Sequence, residues 1–345
     1  MRKRSFTRQH LVFLCVAIVL MVLMDGAIVA FKKSPEPEAV QAAPETISDV
    51  IAAIEAEPVK PAFAPPLEFS NVDQIVPPSE YAQTMSADEP AWRRNAIPTT
   101  ADKTKPRVVI IIDDMGMDRK HTRAMMDLPG PLTFAFLPYA GDLKRQTEMA
   151  RSKGHELMVH MPMEPMNQGL NAGPEVLKTT STPEEFEKTL ADGLNAFDGY
   201  VGINNHMGSR MTQDHAGMKR VMVELKKRGL LFVDSKTIST SVAEDEAKLA
   251  GIPYAARDVF LDHEETSVAV HGALDKLERE ALKSGLAIAI GHPKEETLNA
   301  LRAWLPTLQA KGITLIPISA AVIVPVGGNE TPVLEAVSAP VGAEN

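Results

Sequence analysis

Six short stretches of this 345-residue chain group ionisable and polar side chains in ways that suit chemistry. Asp113 and Asp114 stand side by side after the apolar run Val108 to Ile112. His160 is followed by Met161, Pro162, Met163 and Glu164. Asn204, Asn205 and His206 form a third group, and Asp234, Ser235, Lys236 and Thr237 a fourth. Arg257, Asp262 and His263 make a fifth, and His292 stands between Gly291 and Pro293. Adjacent carboxylates repel, and a metal ion or a shared proton is the simplest compensation. Carboxylate plus imidazole, without thiolate, is a zinc-like catalytic donor set that leaves a position open for water. Taken singly, each residue also has a plain structural role: an aspartate caps the next helix, and a histidine before proline bonds a loop carbonyl. The spacing is not that of a compact motif such as HExxH, so these groups act together only if the fold gathers them.

The elements that would gather them are legible. Consecutive β-branched residues at 108–112 read as a strand buried on both faces, as in parallel sheets. Four segments then repeat one pattern, a basic helix end, a glycine and an apolar strand, with Gly154, Gly229, Gly285 and Gly312 as the helix stops. Thr182-Pro183-Glu184-Glu185 reads as a capping box with proline at the first helical position. Met218 to Leu225, Leu274 to Leu282 and Leu298 to Leu308 carry apolar residues at helical spacing. Strands are expected at 108–113, 132–137, 156–160, 200–204, 230–234, 286–290 and 313–318, with a weaker one near 257–261. Strands alternating with helices imply right-handed βαβ units and a parallel sheet. Seven or so units predict a distorted (β/α) barrel, with an open doubly wound sheet as the alternative. No GxGxxG or Walker loop follows the first strand, which argues against a nucleotide fold. In a barrel every group named above falls at the carboxyl end of a strand, the face that carries active sites. His121, His155, His215 and His271 fall in helices or at strand starts and read as packing or surface residues. Met115, Met161, Met163 and Met207 read as adaptable packing near the rim.

The ends of the chain read differently. Arg2, Lys3, Arg4 and Arg8 precede a largely apolar stretch at 11–31, long enough to cross a bilayer as one helix. The basic flank puts the first ten residues in the cytoplasm and the domain outside it. A cleaved signal peptide, with Ile28-Val29-Ala30 as the site, is the alternative. The single cysteine, Cys15, lies in this stretch, so no disulfide framework is available and the exported part must rely on a core. Residues 34–98 are rich in Pro, Ala and Glu and hold eleven acids against Lys60, Arg93 and Arg94. That balance nearly accounts for the formal net charge of −9, so the acidity belongs to a tether and not to the domain. The organisation expected is a tail at 1–10, an anchor at 11–31, a disordered linker at 32–104, the domain at 105–324 and a disordered tail at 325–345. Trp92 is expected to dock on the domain. A nucleic-acid partner is excluded by the lack of a basic stripe or stacking aromatic set.

Three motifs give the domain a resemblance. IIIDDMG, KGHELMVHMPMEP and IAIGHP, with NNHMGS and DSKT between, make residues 105–322 similar to the polysaccharide deacetylase superfamily, in particular its divergent branch. The resemblance implies a general base at Asp113, a metal ligand at Asp114, a histidine ligand at His160 and a general acid at His292. It also departs from the family pattern. Glu164 occupies the place of the second histidine ligand, and INNHMGSR stands where an Arg-Pro-Pro-Tyr-Gly segment is usual, which offers His206 as the missing imidazole. The resulting expectation is a divalent metal, zinc first and manganese or nickel next, on Asp114, His160 and His206, with Glu164 as the alternative ligand. Asp234 is expected to orient His292. The activity implied is removal of N-acetyl groups from an envelope glycan such as peptidoglycan. The alternatives are a catalytically inactive glycan-binding barrel serving as envelope scaffold or regulator, and a glycosidase using Asp113 with a second carboxylate.

Overall fold

The computed structural model describes residues 89–325. The expected membrane helix, most of the linker and the tail beyond 325 lie outside them. Among the described residues no helix is long and apolar enough to cross a membrane. A short helix α1 (Ala91–Arg94) comes first. Strands and helices then alternate as β1 (Arg107–Met115), α2 (Arg119–Met126), β2 (Thr133–Phe136), α3 (Leu143–Ser152), β3 (Glu156–Met163) and α4 (Pro183–Leu194). They continue as β4 (Gly202–Met207), α5 (His215–Arg228), β5 (Leu231–Asp234), α6 (Ala243–Ala250), β6 (Tyr254–Ala256) and β7 (Val259–Phe260). The last are α7 (Ser267–Ser284), β8 (Leu286–Gly291), α8 (Glu295–Trp304) and β9 (Thr314–Leu315). The local signals explain the boundaries. Thr182 and Glu185 form the reciprocal capping box that opens α4. Gly229 and Gly285 end α5 and α7 in the left-handed conformation.

The nine strands pair only in parallel, in the order β6-β5-β4-β3-β2-β1-β8-β7, with β9 added beside the start of β1. β6 and β7 stand at opposite ends of that row, yet only Arg257 and Asp258 separate them in the chain. The two ends must therefore lie close together, and the α/β architecture is consistent with a (β/α) barrel. The expected strand at 313–318 is cut to two residues, because Pro317 has no N–H to donate and a 3-10 turn takes over at Ile318. The weak signal near 257–261 resolves into β7, and the short β6 before it has no counterpart among the expected strands.

Period-two alternation sorts each strand into two cores. In β1, Val108, Ile110 and Ile112 pack with helix residues such as Met125, Leu274 and Leu301. Val109 and Ile111 face the other way, into a second core shared with Met158, Val201, Val233, Ile288 and Ile290. Trp92 belongs to this inner core and is only 6% exposed. Glu156, at the start of β3, accepts hydrogen bonds from the Ile97 and Ser319 N–H groups and from the Ser319 hydroxyl. Burial pushes the Glu156 carboxyl upward against those bonds. The packed region thus starts at α1, ahead of the boundary expected at residue 105, because the Trp92 indole and the Ile97 amide have partners in the domain.

Candidate metal centre and acid–base site

The inner parity of the strands continues past their apolar residues into the polar ones. Asp113 follows Val109 and Ile111 on β1, His160 follows Met158 on β3, and Asn204 and His206 follow Gly202 on β4. Ser235 follows Val233, Asp262 follows Phe260, and His292 follows Ile288 and Ile290. Asp114 has the wrong parity. Its backbone is left-handed, with φ 54°, at a break in the β1–β2 register between Ile112 and Met115. A non-glycine residue in that conformation is strained, and aspartate is among the few that tolerate it. The twist brings the Asp114 carboxylate to the same face as Asp113.

Three donor atoms converge there. Asp114 Oδ1 lies 3.0 Å from His206 Nδ1 and 3.4 Å from His160 Nε2. The two imidazole nitrogens are 3.1 Å apart. Asp114, His160 and His206 form the candidate metal-holding group among the described residues. Ligands tetrahedrally placed around zinc at ordinary bond lengths stand about 3.4 Å apart, close to these separations. Asp114 Oδ1 is also buried without a satisfying hydrogen bond, although both imidazole nitrogens stand beside it. An orphaned anionic oxygen beside two imidazole nitrogens is a donor set that fits a divalent cation.

The surrounding groups hold this set in place. Asn204 Oδ1 faces His160 Nδ1 at 2.9 Å, so the proton sits on Nδ1 and the Nε2 lone pair points into the cluster. Asn204 Nδ2 donates to Asp113 Oδ1 at 2.7 Å and to the Ser235 hydroxyl at 3.2 Å. Asp113 is 2% exposed, and burial pushes its carboxyl upward against the pull of His160 and His292. Burial would also raise Asp114, but the closeness of His160 and His206 holds it well below the ordinary carboxylate range. Burial lowers His160, and Asp113 and Asp114 more than reverse that. Two carboxylates and two imidazoles thus draw positive charge to one point, supplied either by protons or by a cation.

Across the same rim, His292 Nε2 lies 3.9 Å from Asp114 Oδ2. Its other nitrogen, Nδ1, is 2.9 Å from Asp262 Oδ1. Asp262 Oδ2 accepts from the His292 backbone N–H and from the Thr297 hydroxyl. Burial lowers His292, but the Asp262 carboxylate outweighs it and raises the imidazole above its usual range. The edge of the Phe260 ring packs against the His292 ring, with centroids 5.5 Å apart.

Comparison with known proteins places this geometry. Residues 110–322 match the divergent polysaccharide deacetylase family. The chain belongs to that family. It is 32% identical over 232 residues to the uncharacterized protein YibQ of Escherichia coli K12, covering 67% of this chain and 72% of the relative. An uncharacterized protein of Haemophilus influenzae is 32% identical over 219 residues, 62% of this chain and 76% of its own. The crystal structure of an uncharacterized protein from Agrobacterium tumefaciens C58 superposes with a TM-score of 0.66 at 29% identity, covering 68% of this chain and 95% of that one.

In this member of the family, the structure gathers Asp113, Asp114, His160, His206 and His292, and leaves two expected participants elsewhere. Asp234 does not orient His292. It has the outer parity of Phe232, is 3.4 Å from Lys236 Nζ and bonds the Lys236 N–H. Asp262 takes the position expected of Asp234. Glu164 is not at the metal-holding group either. Both its oxygens are engaged, Oε2 by the Thr179 N–H and hydroxyl and Oε1 by Arg210, because the chain turns away after β3 to pair with Leu177. Asn204 and Asp262 were visible as polar residues at strand ends, but without roles. Counting in twos reaches Asn204 from Gly202 on β4 and Asp262 from Phe260 on β7. His121, His155, His215 and His271 bond Asp118, the Met126 carbonyl, Glu246 and the Ser267 carbonyl, outside the site.

Proposed function

We propose that this divergent deacetylase is a metal-dependent amide hydrolase that removes N-acetyl groups from an envelope glycan such as peptidoglycan. The observation that carries the reading is the convergence of Asp114, His160 and His206 within reach of one ion, with Asp113 and His292 beside them. A divalent cation held by those three residues, zinc being the natural fit, would polarise the acetamide carbonyl and acidify a water next to it. Asp113 then takes a proton from the attacking water. Its Oδ1 is occupied by Asn204, which leaves Oδ2 for the proton. His292 hands a proton from Nε2 to the leaving amine nitrogen, while Asp262 holds Nδ1 and favours the protonated ring. The products are acetate and a free amino sugar.

The site would work at the periplasmic face of the inner membrane, held there by residues 11–31 and reached through the acidic linker. Support for that placement is the run Arg2, Lys3, Arg4 and Arg8 ahead of the apolar segment. The experiment is acetate release from chitin-like and peptidoglycan-like substrates by the purified protein loaded with zinc, manganese or nickel. Metal-dependent acetate release that disappears in Asp113→Asn supports the reading. Metal binding without acetate from any of these glycans replaces it with the glycan-binding scaffold, and release of reducing ends replaces it with a glycosidase.

A further inference from the structure

Only Arg257 and Asp258 join β6 to β7, and their side chains go to different places. Asp258 serves β8: its Oδ2 accepts from the Ile288 N–H at 2.8 Å, and its own N–H donates to the Ile288 carbonyl. Arg257 serves the turn after β5. Its Nε donates to the Ser235 carbonyl at 2.7 Å and its Nη2 to the Lys236 carbonyl at 2.9 Å. Lys236 is left-handed, with φ 50°, a conformation costly for a lysine. Two bonds from one planar fork, with the bond from the Lys236 N–H to Asp234, hold the turn in that shape.

The turn reaches the base side of the site. The Ser235 hydroxyl accepts from Asn204 Nδ2 at 3.2 Å, and the Ser235 N–H donates to Asn205 Oδ1 at 2.9 Å. The Asn204 amide thus has Asp113 and Ser235 as acceptors and His160 at its oxygen, so the place of Ser235 helps fix the way the amide faces. Arg257 reaches the acid side as well. Its guanidinium lies over the Phe260 ring at 5.1 Å, and that ring meets His292 with centroids 5.5 Å apart. Burial pushes the guanidinium downward, while Asp234, Asp113 and Asp258 pull it back. One side chain touches the supports of both proton-transfer groups.

We propose that Arg257 is a positioning residue for the acid–base pair, fixing the Asn204 amide through the Ser235–Lys236 turn and the His292 ring through Phe260. Its kinetic effect rests on the hydrolase reading above, whereas its effect on the two side chains does not.

The test is nuclear magnetic resonance of the metal-free full chain with labelled asparagine and histidine side chains. Asn204→Ala and His292→Ala assign the two residues. Arg257→Lys keeps the charge and loses the fork. In that variant the Asn204 amide resonances should shift and exchange with solvent about tenfold faster, and the His292 ring protons, which feel the Phe260 ring, should shift too. Far-ultraviolet circular dichroism should not change. Ser235→Ala should loosen the Asn204 amide in the same way, and adding Arg257→Lys to it should change that amide little further. For acetate release, kcat of Arg257→Lys should fall about 10- to 100-fold with KM held within about twofold. Unmoved Asn204 or His292 resonances in Arg257→Lys, or effects of Arg257→Lys and Ser235→Ala that simply add, would overturn the proposal. Lack of acetate release by the unaltered protein would sink the hydrolase reading alone, because the resonances still decide the role of Arg257.

Discussion

Nδ1 of His206 faces Nε2 of His160 at 3.1 Å, and the Asp114 carboxylate closes the triangle. With the His160 proton fixed on Nδ1 by Asn204, the Nε2 lone pair has no protein N–H aimed at it except through His206. A cation satisfies all three atoms at once. Asp114→Ala and His206→Ala should therefore lose the ion that the unaltered protein retains after extensive dialysis, as read by elemental analysis, while keeping the same far-ultraviolet circular dichroism. Retention of equal metal in all three proteins would remove this ligand set.

Asn204 touches both halves of the site, bonding His160 through its oxygen and Asp113 through its nitrogen. Asn204→Ala frees the His160 ring to rotate and strips Asp113 of a buried partner. Metal affinity should fall about 10- to 100-fold, the size of effect usual for partners that orient ligands. A competition titration with a chromophoric chelator measures it.

Two buried aspartates separate cleanly. Asp262 holds His292, whereas Asp234 pairs with Lys236 on the helix side of β5. Asp262→Asn should lower kcat for acetate release by about 10²- to 10⁴-fold, the range of a lost general acid, with metal content unchanged. Asp234→Asn should leave kcat within a few-fold and act on thermal stability instead, through the unpaired Lys236. The reverse pattern would reinstate Asp234 as the partner of His292.

The reason the sequence misassigned that partner is a matter of counting. The glycine stops, the capping box and the apolar runs were legible because each is a local signal, and they located strand ends to within about three residues. Which face a strand-end residue takes depends on register. Asp234 directly ends its strand and looks like a site residue, but it shares the face of Phe232. Asp262 lies two residues beyond β7, a strand too short to announce itself by pattern. Asp114 defeats counting altogether, because its left-handed backbone reverses the face it would otherwise have. Glu164 could not be excluded from sequence, since its partners Thr179 and Arg210 come from distant parts of the chain.

The last prediction concerns His155, which lies far from the rim and is wholly buried. Its Nε2–H donates to the Met126 carbonyl at 3.1 Å, and its Nδ1 accepts from the Leu132 N–H at 3.2 Å. Burial pushes the imidazole down to about 4, and a proton on Nδ1 would also cost the bond from Leu132. In the unfolded chain the ring has its ordinary value near 6.5. Between those two values the unfolded state binds the extra proton and the folded state does not, so stability falls as pH falls from about 6.5 to about 4 and levels off below. The total is about 3 kcal/mol, from the size of the shift at about 1.4 kcal/mol per unit. Urea midpoints at pH 7.5, 5.5 and 4.5 should therefore drop more steeply for the unaltered protein than for His155→Gln, which keeps a donor and an acceptor but cannot titrate. Carboxylates elsewhere contribute equally to both proteins, so the difference between the two slopes isolates His155. Identical slopes would mean that the ring is protonated in the folded state and that the Leu132 bond is not what holds it neutral.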